Sequence, residues 1–349
     1  MALEPEMSRR SISAALFLAV TLAVSSGCSS ESVFSGDNVQ EVERNLLTGL
    51  PGSNNRIIAA KIDDTRSAHP QVGIESADVV YIEQVEAGLT RLVAIYSSNY
   101  PVKIGPIRSA RISDIDILAE YGRVGFIFSG AQSKMYSVID NANLANLGAQ
   151  RNPPSVYIRD PLRNAPTNMF VYPERLLEVD RNAASIDQVR TPGWIFGDNP
   201  GVGREIARAE ISWPAARYAV TWSDDEDRWL IEFNGEPNLN PDGYQLGSPT
   251  FVIQIVDIEP SEFGDRYGGI TPKHEVIGQG RGFLLRDAQA IEVTWRRDSA
   301  TTPTAWSLAD GSPAPFEPGQ IWIALTENEP SFEYPAEEML DETKAKTQK

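Results

Sequence analysis

ADVVYIEQVEAGLTRLVAIYSSNYPVKIGPIRSARISD, residues 77–114, carries strand, turn and helix signals in one run. Two runs rich in β-branched and aromatic residues, 77–86 and 89–98, flank Ala87-Gly88. A two-residue break containing Gly between such runs predicts a β-hairpin. With that loop, Gln84 lies opposite Arg91, and Glu86 is diagonal to Arg91 on the same face, an ordinary cross-strand pair. A further strand ends near Ile104, and Gly105-Pro106 turns the chain. Ser113, with Asp116 three residues on, predicts a capped helix start. Ile112, Ile115, Leu118 and Ala119 recur at helical spacing, and Gly122 supplies the stop.

Working outward, RIIAAKID (56–63) and RVGFIFSG (123–130) predict two more strands. Residues 131–148 are helix or loop, 152–170 irregular, and YPERLLEVDRNAAS (172–185) a helix. Strands and helices thus mix over 46–185, an α+β N-terminal domain with a mixed sheet and flanking helices. The second half changes character. Trp222, Trp229, Trp295, Trp306 and Trp322 sit in short alternating runs separated by turn signals such as NPDG and EPGQ. Residues 186–332 therefore predict a mainly antiparallel, β-rich C-terminal domain, its tryptophans in the core. Residues 333–349 are polar and predict a disordered tail.

The N-terminus carries Arg9-Arg10 and then SISAALFLAVTLAVSSGC, ending at Cys28, the chain's only cysteine. A charged region, a short apolar region and small residues predict a signal peptide over 1–28. The apolar run is short for a span of ~20 residues. Small residues with Gly27 before Cys28 resemble a bacterial lipobox, although Ser25 stands where an aliphatic residue is usual. On that likeness Cys28 is lipidated, residues 29–45 are a flexible tether, and the domains sit on the extracytoplasmic face of the cytoplasmic membrane.

The 349 residues suit about two domains. A formal net charge of −17 repels nucleic acid, and no Lys/Arg cluster with interleaved aromatics offsets it. Two histidines and one cysteine leave no internal disulfide and little material for a metal site, so neither metal nor cofactor is expected. No phosphate-binding loop or dinucleotide fingerprint is present.

Several segments, in order, resemble the YerB-type family of bacterial envelope lipoproteins, whose two halves are domains of unknown function. They are LTGLP (47–51), HPQVGIESADVVYIEQVEAGLTRLVAIY (69–96), IGPIRSAR (104–111), APTN (165–168), GQGRGFLLRD (278–287) and FEPGQIWI (316–323). The resemblance implies a lipoprotein with an α+β first domain and a β-rich second one, and implies no reaction. His69 stands where the family usually has Arg, and Thr167 where it often has His.

The chemistry concentrates at the arginine loop. Arg108, Ser109 and Arg111 precede a helix start, where unpaired N–H groups favour an anion, and two guanidinium forks add bidentate capacity. The alternative is that both arginines pair with Glu83, Glu86 or Asp114 inside the fold. Arg91 and Asn168 complete the candidate ligand-binding set. Glu83 and Glu86, three apart on a strand, face opposite sides and make no acid–base dyad alone. His69 reads as a loop residue, Asp63-Asp64 as a nonspecific acidic pair, and Ser109 and Ser129 lack a convincing base. The leading expectation is an envelope binding or scaffold protein with an anion cleft. Its partners would be the membrane through its lipid, peptidoglycan or anionic polymers, and other envelope proteins. The alternatives are an enzyme on peptidoglycan or phosphate-linked glycans and a pure protein-interaction module.

Overall fold

Strands that are apolar along their whole length must be covered on both faces, and VVYI, IAAKI and IWIAL form such strands. In the computed structural model, which describes residues 42–335 except 266, they occupy the centre of one large mixed sheet. The first half contributes β1 (Ile58–Asp63), β2 (Val79–Gln84), β3 (Thr90–Tyr96), α1 (Ser113–Ala119), β4 (Val124–Ile127), α2 (Met135–Asn141), β5 (Leu144–Asn146) and α3 (Pro173–Val179). From the second half come β6 (Arg208–Trp213), β7 (Ala216–Ser223), β8 (Arg228–Phe233), β9 (Thr250–Ile255), β10 (Ile258–Gly264) and β11 (Ile270–His274). These are followed by β12 (Gly278–Arg286), β13 (Gln289–Arg297), β14 (Ala305–Ser307), β15 (Ile321–Thr326) and β16 (Ser331–Glu333).

The main sheet runs β14–β13–β12–β9–β15–β2–β3–β1–β4–β5. Strand β15 lies parallel to both β2 and β9 and so joins the two halves of the sequence in one sheet. Residues 42–335 fall in one compact unit, and one apolar core runs through both halves. The change of character near residue 186 is real along the sequence, but the hydrogen-bonded sheet runs across it. A second, antiparallel sheet is built on β6, β7 and β8, with β16 at its edge. There β6 and β8 alternate between buried and half-buried positions, as a sheet with one covered face requires. Trp229, Trp295, Trp306 and Trp322 are buried in the core, and Trp222 is partly buried against it.

The α+β class and the β-rich second half are as the sequence predicts; several details differ. Where the sequence predicts a strand ending near Ile104, residues 101–107 make only isolated bridges, among them Ile104 to Val171. The β2–β3 loop is longer than two residues. Ala87 and Gly88 both take left-handed conformations, and Val85 N–H donates to Leu89 O at 2.7 Å, so the register is Glu83 opposite Arg91 and Gln84 opposite Thr90. That one-residue slip puts Glu83, not Gln84, across from Arg91 and leaves Glu86 in the loop. Ser113 does not cap α1. The residue before the helix is itself helical, and the Ser113 hydroxyl turns to β11 instead.

The other two differences lie at the ends. The expected tether, 29–45, already belongs to the folded unit at its last residues. Asn45 is buried, its side-chain Oδ1 accepting from Leu47 and Thr48 N–H and its Nδ2 donating to Ser53 O and Ser97 Oγ. At the other end Glu333, placed in the tail, forms a strand residue opposite Arg208, and Arg204 lies 3.5 Å over the Tyr334 ring. The signal segment with Cys28, the rest of the tether and residues 336–349 lie outside the described residues. Among the described residues no helix is long and apolar enough to cross a membrane.

Candidate functional site

The arginine loop is laid against the end of β1. Asp63 N–H donates to Pro106 O at 2.9 Å and Arg108 N–H to Lys61 O at 2.7 Å. On its other side Ala110 N–H donates to Gly130 O and Ser129 N–H to Arg108 O, both at 2.9 Å. Entry into this path requires glycine. Gly105 has φ +152°, and a Cβ there would sit 2.7 Å from the Phe170 ring and 2.9 Å from Met169 O. The loop is thus strapped between β1 and the segment after β4, with its arginine side chains facing a cleft.

That cleft has a volume of about 630 Å³. Arg91, Arg108, Ser109 and Arg111 line one side, and Ile112, Ala131 and Met135 supply apolar surface. Pro166 lies at its margin. The opposite wall comes from the second half of the chain, through Phe263, Gly264, Asp265, Tyr267 and Thr271 on or beside the β10–β11 hairpin.

Each arginine has a different attachment. Arg108 is ion-paired with buried Asp63. Arg111 donates from Nε at 2.9 Å and from Nη2 at 2.7 Å to Glu86 Oε2. Thr271, from the second half, donates to the other Glu86 oxygen. Burial acts to raise the Glu86 pKa, but Arg111 and Thr271 outweigh it and hold this carboxyl below its ordinary value. Arg91 makes no ion pair among the described residues. Its Nη1 donates to Ser109 O at 2.9 Å. Burial, and then Arg111 and Arg108 beside it, bring the Arg91 pKa down to about 10. At the rim, Asp265 accepts from the Gly269 and Tyr267 amides, at 2.9 and 2.8 Å. The Gly269 bond contributes most to holding its carboxyl below the ordinary range.

Beneath the arginines lies a second charged group that the cleft does not reach. Lys61 donates to Asp114 Oδ1 at 2.8 Å and is also ion-paired with Glu83, and all three side chains are 0% exposed. Asp114 Oδ2 accepts the Arg111 N–H at 2.6 Å, so the first free amide before α1 is already used. Burial raises the Asp114 pKa to about 6 against the opposing pull of Lys61. His274, buried on β11, is pushed down to about 3 by burial and then by Lys61. It is therefore neutral. Gln84 N–H donates to its Nε2 at 3.1 Å, so Nδ1 carries the proton and donates to Ser113 Oγ at 3.0 Å. That fixes the Ser113–His274 contact as a buried structural bond.

The structure thus gathers Arg91, Arg108, Ser109, Arg111 and Glu86 at the cleft. It places Glu83 and Asp114 behind it on Lys61. Asn168 stands apart, its Oδ1 accepting from Arg159 Nη1 at 2.7 Å. Glu86 pairs with Arg111 and not with Arg91, because the loop register carries it off the β2 face. His69 is half-buried between Asp64 and Asn238, with its ring stacked 4.5 Å from Phe233. Among the described residues no cluster of His, Cys, Asp and Glu is arranged to hold a metal.

Sequence reasoning missed Lys61, His274 and the whole β10–β11 wall. Only Lys61 left a signal, as a lone cation inside an apolar strand that is buried at every position. Such a residue demands buried carboxylate partners.

Comparisons with known proteins agree with this architecture. Residues 47–186 match the model described as "Protein of unknown function (DUF3048) N-terminal domain", and residues 209–323 match its C-terminal domain. A Bacillus subtilis (strain 168) protein named "Putative lipoprotein YerB" is 21% identical over 304 residues, 80% of this chain and 85% of its own length. The crystal structure of YerB protein from Bacillus subtilis superposes with a TM-score of 0.71 at 18% identity, over 83% of this chain and 99% of that one, a likeness of fold. With both halves of the family matched in order, and the cleft lying between elements of each, the chain belongs to the DUF3048 family of two-part proteins of unknown function.

Proposed function

We propose that this is a lipid-anchored envelope protein, tethered through Cys28 on the extracytoplasmic face, that binds an anionic envelope ligand in the arginine cleft. The observation that carries the reading is Arg91, a guanidinium without a carboxylate partner among the described residues, held beside two other arginines on the cleft wall. Arg91 makes one hydrogen bond to Ser109 O, and its remaining N–H groups are available to an incoming anion. Arg108 and Arg111 are fixed by Asp63 and Glu86, so their geometry costs little ordering on binding. The apolar wall of Ile112, Met135 and Phe263 suits a ligand whose anionic group is attached to a less polar body. Carboxylates of peptidoglycan peptides and phosphates of lipid-linked glycans have that chemistry. The related protein's name, a lipoprotein, and the lipobox-like sequence before Cys28 support the anchoring.

The test is titration calorimetry of the full chain with purified peptidoglycan peptides and with polyprenyl phosphates. Binding is expected for at least one, and Arg91→Ala should weaken it at least tenfold with an unchanged melting curve. No binding to either class would overturn the reading. Cell fractionation of Cys28→Ser tests the anchor separately, since a variant that remains in the membrane fraction would remove it.

A further inference from the structure

We infer that the cleft takes up its anion together with one proton, which lodges on the Glu83–Asp114 carboxylate pair beneath it. This deepens the proposed anion-binding reading and rests on it.

The argument is a charge count. The cleft and the group behind it contain Lys61, Arg91, Arg108 and Arg111 against Asp63, Glu83, Glu86 and Asp114. Among the described residues of this group four positive charges face four negative ones, so they balance before any ligand arrives. Asp265 adds a further, solvent-screened carboxylate at the rim. An anion entering a balanced, partly dry cluster leaves an uncompensated negative charge, which is costly in a medium of low polarisability. Either an internal ion pair opens or a carboxylate takes a proton.

Geometry selects the carboxylate. Asp63 and Glu86 each hold an arginine of the cleft and would release it on protonation. Glu83 and Asp114 instead share one lysine, so the pair carries one negative charge more than Lys61 balances. Glu83 Oε2 is buried with no protein hydrogen-bond partner, so the negative charge of the pair is poorly compensated there. The pair is also well placed to sense the ligand. Asp114 Oδ2 accepts the Arg111 amide, and Glu83 is directly across the strand pair from Arg91. Besides Lys61, the charged or titratable groups beside the pair are Arg91, across from Glu83 on β3, Arg111, whose amide donates to Asp114, and His274 on β11. His274 is neutral and already uses both ring nitrogens, so it is no alternative acceptor. The raised affinity of Asp114 for protons agrees with the assignment. The proton comes from solvent, adds to a carboxyl oxygen, and forms no bond to the ligand.

The experiment uses sulfate, a dianion that does not itself titrate between pH 5.5 and 8, on the purified full chain. Calorimetry is run at each pH in two cationic buffers of different ionisation enthalpy. The difference in observed heat gives the protons taken up. Uptake approaching one proton per sulfate is expected above pH 7. Affinity should rise about tenfold per pH unit as pH falls from 8 towards 6.5, then level off as the free protein becomes protonated. Asp114→Asn places a permanently neutral group at the pair and should bind sulfate with near-zero uptake and no pH slope. Glu83→Gln serves the same purpose if Asp114→Asn does not fold, and the wild-type uptake decides alone if neither does. Sulfate binding with no proton uptake and no pH dependence overturns the coupling and leaves the anion site standing. No binding of sulfate at any pH, with none of inorganic phosphate or acetate either, overturns both.

Discussion

Asp63 and Asp64 are neighbours in sequence and opposites in the structure. Successive residues of a strand face opposite sides. Asp63 turns to the cleft face and pairs with Arg108. Asp64 turns to the face covered by the second sheet. There it accepts from Thr90, from the Tyr218 hydroxyl at 2.8 and 2.9 Å, from Gln71 at 3.0 Å and from His69 at 3.1 Å. The first lies in a group of formal charges open on one side to a cleft. The second lies in a closed network of Thr90, Gln71, His69 and Tyr218 that ties the end of β1 to β7 of the other sequence half. Charged groups beside a cleft can trade an internal partner for a ligand, whereas a saturated buried carboxylate can only hold the fold together. The contrast separates the part of this molecule built for exchange from the part built for cohesion.

The strongest way to break the comparison is to remove the cation at the heart of the charged group. Lys61→Met leaves two buried carboxylates without a counter-charge and should cost about 3–5 kcal/mol in urea unfolding. Adding Glu83→Gln and Asp114→Asn to the same chain should return most of that loss. A cost under about 1 kcal/mol for Lys61→Met would show that the group is not dry.

Within the cleft, the two arginines at Asp63 and at Ser109 should behave differently. Arg108→Ala strands Asp63, which is 1% exposed, and should cost about 3 kcal/mol. Arg91→Ala removes no ion pair and relieves repulsion from two neighbours, so its stability change should stay within about 1 kcal/mol. Equal losses in paired denaturation curves would remove the distinction between the fixed arginine and the free one.

On the cohesive side, Asp64→Asn replaces an acceptor-only group by one whose NH₂ faces buried donors. It should cost about 1–3 kcal/mol and leave anion binding unchanged. A loss of binding at equal stability would mean that the two faces of β1 are coupled.

The smallest expected effect is on pH dependence. Asp114 rises from 3.8 to about 6, so between those values the folded chain keeps a proton that the unfolded chain has lost. That contribution to stability is present below 3.8 and is lost as pH rises through about 6. His274 works in the opposite sense. It falls from 6.5 to about 3, so its contribution is present above 6.5 and is lost as pH drops towards 3. The two oppose each other between about pH 4 and 6. In Asp114→Asn only the histidine term survives, and stability should decline more steeply on acidification than in the wild type. Parallel curves for the two proteins would show that Asp114 does not titrate in that window.

The elements of this fold and the position of its arginine loop follow from local sequence. Apolar runs, the Gly-Pro turn and the alternating second half are local patterns, and strand and helix periodicity follow from local backbone geometry. Hence β1, β2, β3 and α1 and the arginine-bearing loop were legible within a residue or two. The partners of those arginines were not. Whether Arg91 faces Gln84 or Glu83 depends on a loop whose two left-handed residues, Ala87 and Gly88, lengthen it beyond the hairpin signal, and a one-residue slip exchanges every contact across the pair. Tertiary structure alone decided that β15 joins the halves in one sheet, that Thr271 and the β10–β11 hairpin close the cleft, and that Lys61 keeps Glu83 and Asp114 from it. Those outcomes join residues more than a hundred positions apart or bury charge that local patterns read as exposed, and they are settled only when distant elements pack and each buried charge must find a partner.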